Sequence, residues 1–143
     1  MFDKFFPDRY VASTYVIDFE GLYKEGVRGL IFDIDNTLVP HGAPADERAR
    51  ALFKRLKSIG FRCCLISNNQ KPRVEMFNKD IQVDYVYNAH KPSIRNYLKA
   101  MEIMGTDRES TVFIGDQLFT DVWGAKRAGT VSYTHLTLPT NSR

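Results

Sequence analysis

The sequence predicts an α/β protein with a Rossmann-like, three-layer α/β/α arrangement around a parallel sheet. Short apolar runs alternate with longer amphipathic segments along the chain, and this alternation indicates βαβ units. Polar residues follow directly after the apolar runs, at the strand ends where parallel sheets bind their ligands. With 143 residues, the chain is long enough for one such domain with its own core.

Strands and helices are predicted to alternate in order along the chain. The first helix has apolar residues at helical spacing, and Gly60 ends it in the usual position. The second helix is expected to turn Val74 and Phe77 inwards, and Pro92 opens the third. The predicted strands cover residues 27–34, 61–66, 85–87 and 111–114, and the predicted helices cover residues 46–58, 71–80, 92–104 and 119–128.

The tail over residues 131–143 departs from this alternation. A fifth apolar strand is expected after Gly129, but the tail VSYTHLTLPTNSR is rich in threonine and serine. It fits either a poor edge strand or the peptide that results when sequencing-adaptor DNA is translated at a truncated gene end, and we favour the second interpretation. We therefore expect residues 1–130 to form the domain, without its native C-terminal strand, and residues 131–143 to be non-native.

Charge and composition argue against several classes of protein. The net charge is only +3, without a block of like charges, so no nucleic-acid partner is expected. No apolar stretch reaches the roughly 18 residues of a transmembrane helix, and no signal-peptide pattern opens the chain. Cys63 and Cys64 are adjacent on a predicted strand and should point to opposite faces, which argues against a disulfide between them. Two buried thiols fit a cytoplasmic protein.

Two carboxylates follow the first predicted strand, in the segment FDIDNTL. Side chains two residues apart on a strand share a face, so Asp33 and Asp35 should reach the same small volume. Close carboxylates repel one another and lose solvation, and a divalent cation relieves both effects. Asp116, after the fourth strand, could supply a further oxygen ligand. Such oxygen-rich ligation suits Mg²⁺, which binds through few carboxylates and a substrate phosphate.

The other strand ends carry groups that suit phosphate. Lys91, after the third strand, could neutralise the charge of a phosphate group, and the Ser67 hydroxyl could donate a hydrogen bond to it. Free backbone amides around Ile34 and Asn68 could donate further hydrogen bonds. A nucleophilic carboxylate, a second carboxylate for proton transfer, a metal and a lysine together indicate phosphoryl transfer.

Four segments resemble the motifs of the haloacid dehalogenase-like (HAD) phosphatases, in the same order and at the predicted strand ends. FDIDNTL resembles the first motif, DxDxT, and LISNN resembles the second, a strand that ends in Ser or Thr. HKP resembles the third-motif lysine, and FIGDQLFTD resembles the fourth motif, GDxxxxD. The chain is therefore identified as a member of this superfamily over residues 27–129, and the resemblance implies a phosphatase on a Rossmann-like core.

The resemblance also implies catalytic roles. Asp33 would attack phosphorus and form an aspartyl-phosphate, and Asp35 would protonate the leaving oxygen and then activate the hydrolytic water. Lys91 would stabilise the phosphoryl group together with Asp33. The implied phosphate-binding residues, including the threonine that fixes the first-motif loop, are Thr37, Ser67, Asn68 and Lys91.

For the metal, the resemblance implies Mg²⁺ held by Asp33, the backbone carbonyl of Asp35 and Asp116, with Asp121 as a supporting acid. Asp121 could equally be an ordinary acid in the first turn of a helix, where negative charge is favoured. Asn36 stands where many family members have Gly, and Asn tolerates the unusual backbone angles that such a position needs. His41, His90 and Trp123 are expected to have no catalytic role, with Trp123 packing the last helix on the sheet.

The spacing of the motifs bears on the substrate. Residues 35–67 hold one loop, one helix and one strand, and residues 67–91 hold one helix and one short strand, so no cap domain fits. A capless site is open and suits a large substrate, or an oligomer in which a neighbour closes the site. The lead-in over residues 7–40 resembles YqeG-type members of HAD subfamily IIIA, which are similar to phosphatidylglycerophosphate phosphatases, and this likeness extends over residues 7–129.

Three functions remain open at this point. The first is a phosphatase of a lipid phosphate at the membrane surface, which the aromatic and basic N-terminal segment MFDKFFPDRY would suit. The same aromatic residues could instead cover the sheet. The second is a phosphatase of a small metabolite or a phosphorylated macromolecule. The third is a non-catalytic binding module, against which the intact motif acids argue.

Overall fold

The computed structural model describes residues 9–11, 13–88, 94–115 and 131–135, and its core is a six-stranded parallel sheet. The strands are β1 (Arg9–Val11), β2 (Gly29–Phe32), β3 (Arg62–Ile66), β4 (Asp84–Val86), β5 (Thr111–Gly115) and β6 (Val131–His135). The helices are α1 (Phe19–Lys24), α2 (Glu47–Ile59), α3 (Lys71–Asn78) and α4 (Ile94–Met104), with 3₁₀ turns at Thr14–Val16 and Arg108–Ser110. The strand order is β1-β6-β5-β2-β3-β4, and neighbouring strands run parallel. The predicted parallel α/β sheet is confirmed.

The central strands are mainly apolar because both faces of the sheet are covered. On β2, Leu30 and Phe32 join a core cluster that includes buried residues of α1, α2 and α3. Ile31, between them, points to the other face and joins a second cluster with Tyr97 and Met101 of α4. Continuous apolar runs are typical of parallel strands buried on both sides. This arrangement confirms the three-layer architecture.

Both ends of helix α2 are defined by residues that the sequence shows, a capping aspartate and a glycine. The Asp46 side chain accepts a hydrogen bond from the Ala49 N–H at 2.8 Å, which caps the first turn. Gly60 ends the helix with φ 122°, a conformation that costs glycine little. The predicted helix included Asp46, whereas the structure places this residue just outside as the cap. The core-facing residues of α2 are Ala49, Leu52, Phe53 and Leu56.

The segment before β2 contains a strand, a 3₁₀ turn and a helix, although the sequence predicts no element before residue 27. Thr14, fully buried in its 3₁₀ turn, donates a hydrogen bond to the Thr37 carbonyl at 2.9 Å. The neighbouring Tyr15 hydroxyl donates to the Leu38 carbonyl at 2.7 Å. These contacts support the turn that follows β2. The elements involved are too short for a hydrophobic period to reveal them.

The structure corrects the expectation that no strand follows Gly129 inside the sheet. Strand β6 lies between β5 and β1, with Val131 opposite Val112 and Tyr133 opposite Arg9. Ladder hydrogen bonds to two neighbours do not require a long apolar run, and valine, threonine and tyrosine favour extended backbone. The boundary at residue 130 and the non-native origin of residues 131–143 stay predictions. The predicted helix over residues 119–128 lies outside the described residues.

No helix within the described ranges combines the length and the apolar character needed to cross a bilayer. The cytoplasmic location and the membrane-surface role of the N-terminal aromatic residues stay predictions, because residues 1–8 lie outside the described part of the chain.

The two cysteines are free thiols on opposite faces of β3, as predicted. Cys63 lies in the core cluster with α1, α2 and α3, whereas Cys64 lies in the cluster with α4. Burial raises the pKa of each thiol to about 12, because the thiolate would lose its solvation.

We expect both thiols to be inert in the folded protein, because the thiolate is the reactive form. At mildly alkaline pH, a disulfide reagent such as Ellman's should release no chromophore from native protein beyond the slow unfolding background. The same protein in concentrated guanidinium chloride should release the full amount for two thiols. Rapid reaction of native protein would contradict the burial of β3.

Candidate active site

Strand register brings the predicted site segments to one edge of the sheet. Phe32 pairs with Leu65 on β3 and with Ile114 on β5, so all three strands end side by side. The Asp33 N–H donates to the Ile114 carbonyl at 3.0 Å, and the Ser67 N–H donates to the Val86 carbonyl at 3.0 Å. Asp33 and Ser67 therefore begin adjacent loops at the carboxyl edge, where ligands of parallel sheets bind.

The chain turns immediately after Asp33, so the two carboxylates do not continue a strand. The Ile34 carbonyl accepts N–H groups from Thr37 at 3.2 Å and Leu38 at 2.9 Å, which closes a tight turn. Asn36 has φ 62° within it, a left-handed conformation that Asn tolerates better than most residues. The expectation for Asn36 is confirmed. The prediction that Asp33 and Asp35 lie on one face of a strand is wrong, because the strand ends at Phe32.

Asp33 is almost enclosed at the end of β2, with 5% of the residue exposed. Its Oδ1 accepts the N–H of the next residue, Ile34, at 3.0 Å. Its backbone N–H donates a hydrogen bond to the Ile114 carbonyl of β5. The carboxylate is therefore held at a defined position at the end of a central strand, as a nucleophile requires.

Asp35 accepts three hydrogen bonds from three different segments. Its Oδ1 accepts the Gly42 N–H at 2.8 Å and the Nη2 of Arg73 at 2.6 Å. Its Oδ2 accepts the side-chain amide of Asn69 at 2.8 Å. The carboxylate is thus surrounded by donors from the loop after β2, the loop after β3 and helix α3.

Two opposing effects act on the ionisation of Asp35. Burial disfavours the charged form, but the hydrogen bonds from Arg73 and Gly42, with the nearby charges of Arg73 and His41, outweigh burial. Together they hold the pKa of Asp35 below its usual value. Asp35 is consequently a carboxylate at neutral pH, which agrees with the three hydrogen-bond donors that contact it.

Two buried hydroxyls lie at the same edge of the sheet. Ser67 is 2% exposed, and its Oγ accepts the Asn69 N–H at 3.0 Å, which orders the loop after β3. The Thr37 Oγ1 is buried and has no hydrogen-bond partner among the residues that the structure describes. A buried hydroxyl without a partner costs about 1–3 kcal/mol, so such an atom at a site calls for a reason. Asn68 follows Ser67 and is exposed at the turn.

Two of the three predicted magnesium ligands lie in the described part of the chain, and their oxygen atoms suit this metal. Both carboxylate oxygens of Asp35 are engaged by donors, whereas its backbone carbonyl accepts no hydrogen bond from the described residues. Of the three Asp35 oxygens, the backbone carbonyl is therefore the one suited to bind a metal. The Asp33 carboxylate would be a second ligand. Within the described ranges no three His, Cys, Asp or Glu residues gather as a metal cluster. The third predicted ligand, Asp116, lies outside those ranges.

Other predicted residues also fall outside the described part of the chain. Lys91 and His90 precede α4, and Asp121 and Trp123 follow β5. Their predicted roles stay predictions.

Arg73 is the main feature of the site that the sequence did not reveal. It is the third residue of α3, and it contacts both Asp35 and the Ala43 carbonyl. Asn69 is the last residue of the motif-like segment LISNN, and Gly42 lies in a loop without a motif. No sequence signal separates Arg73 from the surface arginines, because its contact with Asp35 spans 38 residues.

A separate cleft of about 580 Å³ opens at the opposite end of β3 and β4. Its lining includes Arg50, Lys54 and Lys57 from α2 and Asp84 from the start of β4. None of the predicted site residues that the structure describes lines it. The site at the carboxyl edge is therefore defined by its converging polar groups and not by cleft size.

Comparison with known proteins agrees with this geometry. A family model for haloacid dehalogenase-like hydrolases matches residues 43–129. The probable phosphatase YqeG of Bacillus subtilis is 38% identical over 144 residues, covering 99% of this chain and 83% of that protein. A glyceraldehyde 3-phosphate phosphatase of Pyrococcus abyssi is 23% identical over 90 residues, covering 57% of this chain and 38% of that protein.

Solved structures show the same fold at low sequence identity. The cobalt-bound deoxy-D-mannose-octulosonate 8-phosphate phosphatase of Haemophilus influenzae superposes with a TM-score of 0.64 at 16% identity, over 81% of this chain and 72% of that chain. An uncharacterized Listeria monocytogenes protein superposes with a TM-score of 0.63 at 16% identity, over 82% and 84% of the two chains. With the family model and the near full-length match to YqeG, these findings show that the chain belongs to the haloacid dehalogenase-like hydrolases.

Proposed function

We propose that this hydrolase cleaves phosphate monoesters through an aspartyl-phosphate on Asp33. That the chain is a phosphoric monoester hydrolase follows from its family and from its phosphatase relatives. The observation that carries the finer proposal is the pair of carboxylates after β2 with different surroundings. Asp33 is fixed directly after the central strand β2, whereas Asp35 accepts hydrogen bonds from three other segments.

In the first step, a carboxylate oxygen of Asp33 attacks phosphorus and the bond from phosphorus to the ester oxygen breaks. Asp35, a carboxylate in the free protein, first takes a proton from the monoanionic form of the ester and then gives it to that leaving oxygen. In the second step, Asp35 takes a proton from water, the water oxygen attacks phosphorus, and the bond to Asp33 breaks. Inorganic phosphate and the original carboxylate result.

The hydrogen bonds of Asp35 favour its carboxylate form, which is the base of the second step, and they distinguish its two oxygens. Among the described residues, two donors, Gly42 and Arg73, bond its Oδ1, whereas one donor, the amide of Asn69, bonds Oδ2. Oδ2 is therefore the oxygen that carries the proton in our proposal. Ser67 and Thr37 supply buried hydroxyls for the phosphate group, with Asn68 and Lys91 as the remaining proposed contacts.

Mg²⁺ is the proposed cofactor, since HAD phosphatases generally use a divalent metal and the available ligand atoms are oxygens. The Asp33 carboxylate and the Asp35 carbonyl would hold it, with Asp116 as the third proposed ligand and Asp121 as a supporting acid. When bound, the ion would supply positive charge that offsets the charge of the phosphate group.

The substrate class that we favour is a lipid phosphate, in particular phosphatidylglycerophosphate, met at a membrane surface. The loop between Asp35 and α2 leads directly into that helix, and one strand then returns to Ser67, so no cap domain is inserted between these two motifs. An uncapped site suits a substrate whose bulk lies at a membrane surface. The similarity to YqeG also supports this class, because YqeG-type proteins resemble phosphatidylglycerophosphate phosphatases. The alternative substrate is a small metabolite or a phosphorylated macromolecule.

One activity panel tests metal and substrate together. We expect chelation by EDTA to lower the rate at least about 100-fold and added Mg²⁺ to restore it, because the metal offsets charge that no described residue replaces. Phosphatidylglycerophosphate in mixed micelles should be turned over faster than glycerol phosphate or sugar phosphates at equal concentration.

Two outcomes would contradict parts of this proposal. Unchanged activity in EDTA would exclude the metal requirement. Full activity on small esters with none on the lipid would exclude the lipid substrate and favour the metabolite alternative.

A further inference from the structure

Arg73 links three parts of the site through one side chain. Its Nη2 donates to Asp35 Oδ1 at 2.6 Å, and its Nη1 donates to the Ala43 carbonyl at 2.7 Å. The side chains of Arg73 and Asp35 are 13% and 11% exposed, so this ion pair is largely withdrawn from water. Helix α3, the acid after β2 and the following loop are thereby joined.

This placement is costly for the fold and is not needed to hold α3. Within the described part of the chain the buried Arg73 Nε has no hydrogen-bond partner, and burying charged groups costs several kcal/mol per ion before any compensation. Val74 and Phe77, both fully buried, already anchor α3 to the core. An apolar side chain at position 73 could fill the same space without this cost. The cost therefore indicates a role at Asp35.

We propose that Arg73 is a positioning residue for proton transfer: it fixes the orientation of the Asp35 carboxylate and holds the loop at Gly42 and Ala43 against it. This inference rests on the proposed function of Asp35 as the proton carrier. Because Arg73 and Gly42 both bond Oδ1, the carboxylate is oriented with Oδ2 as its more open oxygen. A misplacement of about 1 Å in such a group can lower a rate about 100-fold.

The planar guanidinium is suited to this task in a way that lysine is not. Two separate nitrogens of Arg73 bond two separate acceptors, Asp35 and Ala43, in fixed relative geometry. A lysine ammonium at position 73 would keep the charge but present it from a single nitrogen. Arg73→Lys therefore separates the contribution of charge from that of geometry.

The test compares two leaving groups. An alkyl leaving group, as in glycerol phosphate, needs its oxygen protonated, whereas p-nitrophenolate leaves without help. We expect Arg73→Met to lower kcat for glycerol phosphate about 100-fold but kcat for p-nitrophenyl phosphate less than about 5-fold, since proton transfer contributes roughly 10²–10⁴-fold. KM should change less than about 2-fold for both esters, and Arg73→Lys should give an intermediate alkyl rate.

Arg50→Met is the matched control. Arg50 also donates to a carbonyl of the loop after β2, that of Ala45 at 3.2 Å, but no hydrogen bond joins it to Asp35. This variant should leave the ratio of alkyl to aryl rates unchanged. In addition, Arg73→Met should cause no further loss in that ratio when Asp35 is already Asn, because Arg73 acts through Asp35.

Several outcomes would overturn the role of Arg73 while the wild-type enzyme stays active. One is an equal loss of kcat on both esters in Arg73→Met that follows a loss of thermal stability. Another is a rise in KM on both esters. A third is a further fall in the ratio of alkyl to aryl rates when Arg73→Met is added to Asp35→Asn. Failure of the proposed function itself would be seen differently. Wild-type protein inactive on both esters, or active Asp33→Asn protein, would overturn that function and the role of Arg73 with it.

Discussion

Asp33→Asn is expected to abolish phosphatase activity, with kcat lowered by about 10⁴-fold or more on every phosphate ester. The amide has nearly the shape of the carboxylate, but its oxygen is a poor nucleophile and carries no charge for a metal. The backbone of residue 33 stays bonded to Ile114, and its side-chain oxygen can still accept the Ile34 N–H, so the fold should persist. Steady-state rates on p-nitrophenyl phosphate with Mg²⁺ measure the effect.

Thermal unfolding and direct detection of the intermediate complete this experiment. The variant should melt close to wild type, which separates loss of chemistry from loss of fold. Rapid acid quench of wild-type protein with labelled substrate should trap a phosphoenzyme that Asp33→Asn does not form. A phosphoenzyme on the variant would place the nucleophile elsewhere.

Asp35→Asn is expected to lower kcat about 10³-fold for alkyl phosphates and much less for the first turnover of p-nitrophenyl phosphate. The neutral amide cannot give a proton to an alkoxide, whereas p-nitrophenolate does not need one. Its oxygen can still accept the hydrogen bonds of Gly42 and Arg73, so the loop should keep its place. Measured rates on matched alkyl and aryl esters give the comparison.

The same variant should also accumulate the intermediate, because hydrolysis of the aspartyl-phosphate requires a base. We expect a burst of p-nitrophenolate close to one per active site, followed by a slow steady state. Asp33→Asn serves as the control without a burst. Equal rate losses on alkyl and aryl esters, with no burst, would show that Asp35 does not carry the proton.

Much of the fold follows from features that a sequence displays locally. Runs such as residues 30–32 are apolar at every position, which indicates a strand covered on both faces. The amphipathic pattern of α2 and the capping by Asp46 and Gly60 define that helix nearly to the residue. By contrast, β6 is held by ladder bonds to two neighbours, and nothing in its composition shows that those neighbours exist.

The site was predictable to a similar degree and for a similar reason. Carboxylates and hydroxyls placed directly after apolar runs are visible in the sequence, and topology brings those strand ends together. The turn after Asp33 depends on the left-handed Asn36, which the sequence allowed but did not require. The contact between Arg73 and Asp35 depends on where α3 packs, and that is decided by Val74 and Phe77 in the core.

The central place of β2 has a consequence for local opening. This strand is paired on both sides, by β5 and β3, and all four of its residues are buried. Edge strand β4 is paired on one side only and begins with an exposed residue, so it can fray while the rest of the sheet stays closed. Segments with few buried contacts open with little free energy, whereas a doubly paired central strand opens only with the whole domain. Asp33, bonded through its backbone to β5 directly after β2, is therefore expected to keep its place when β4 opens.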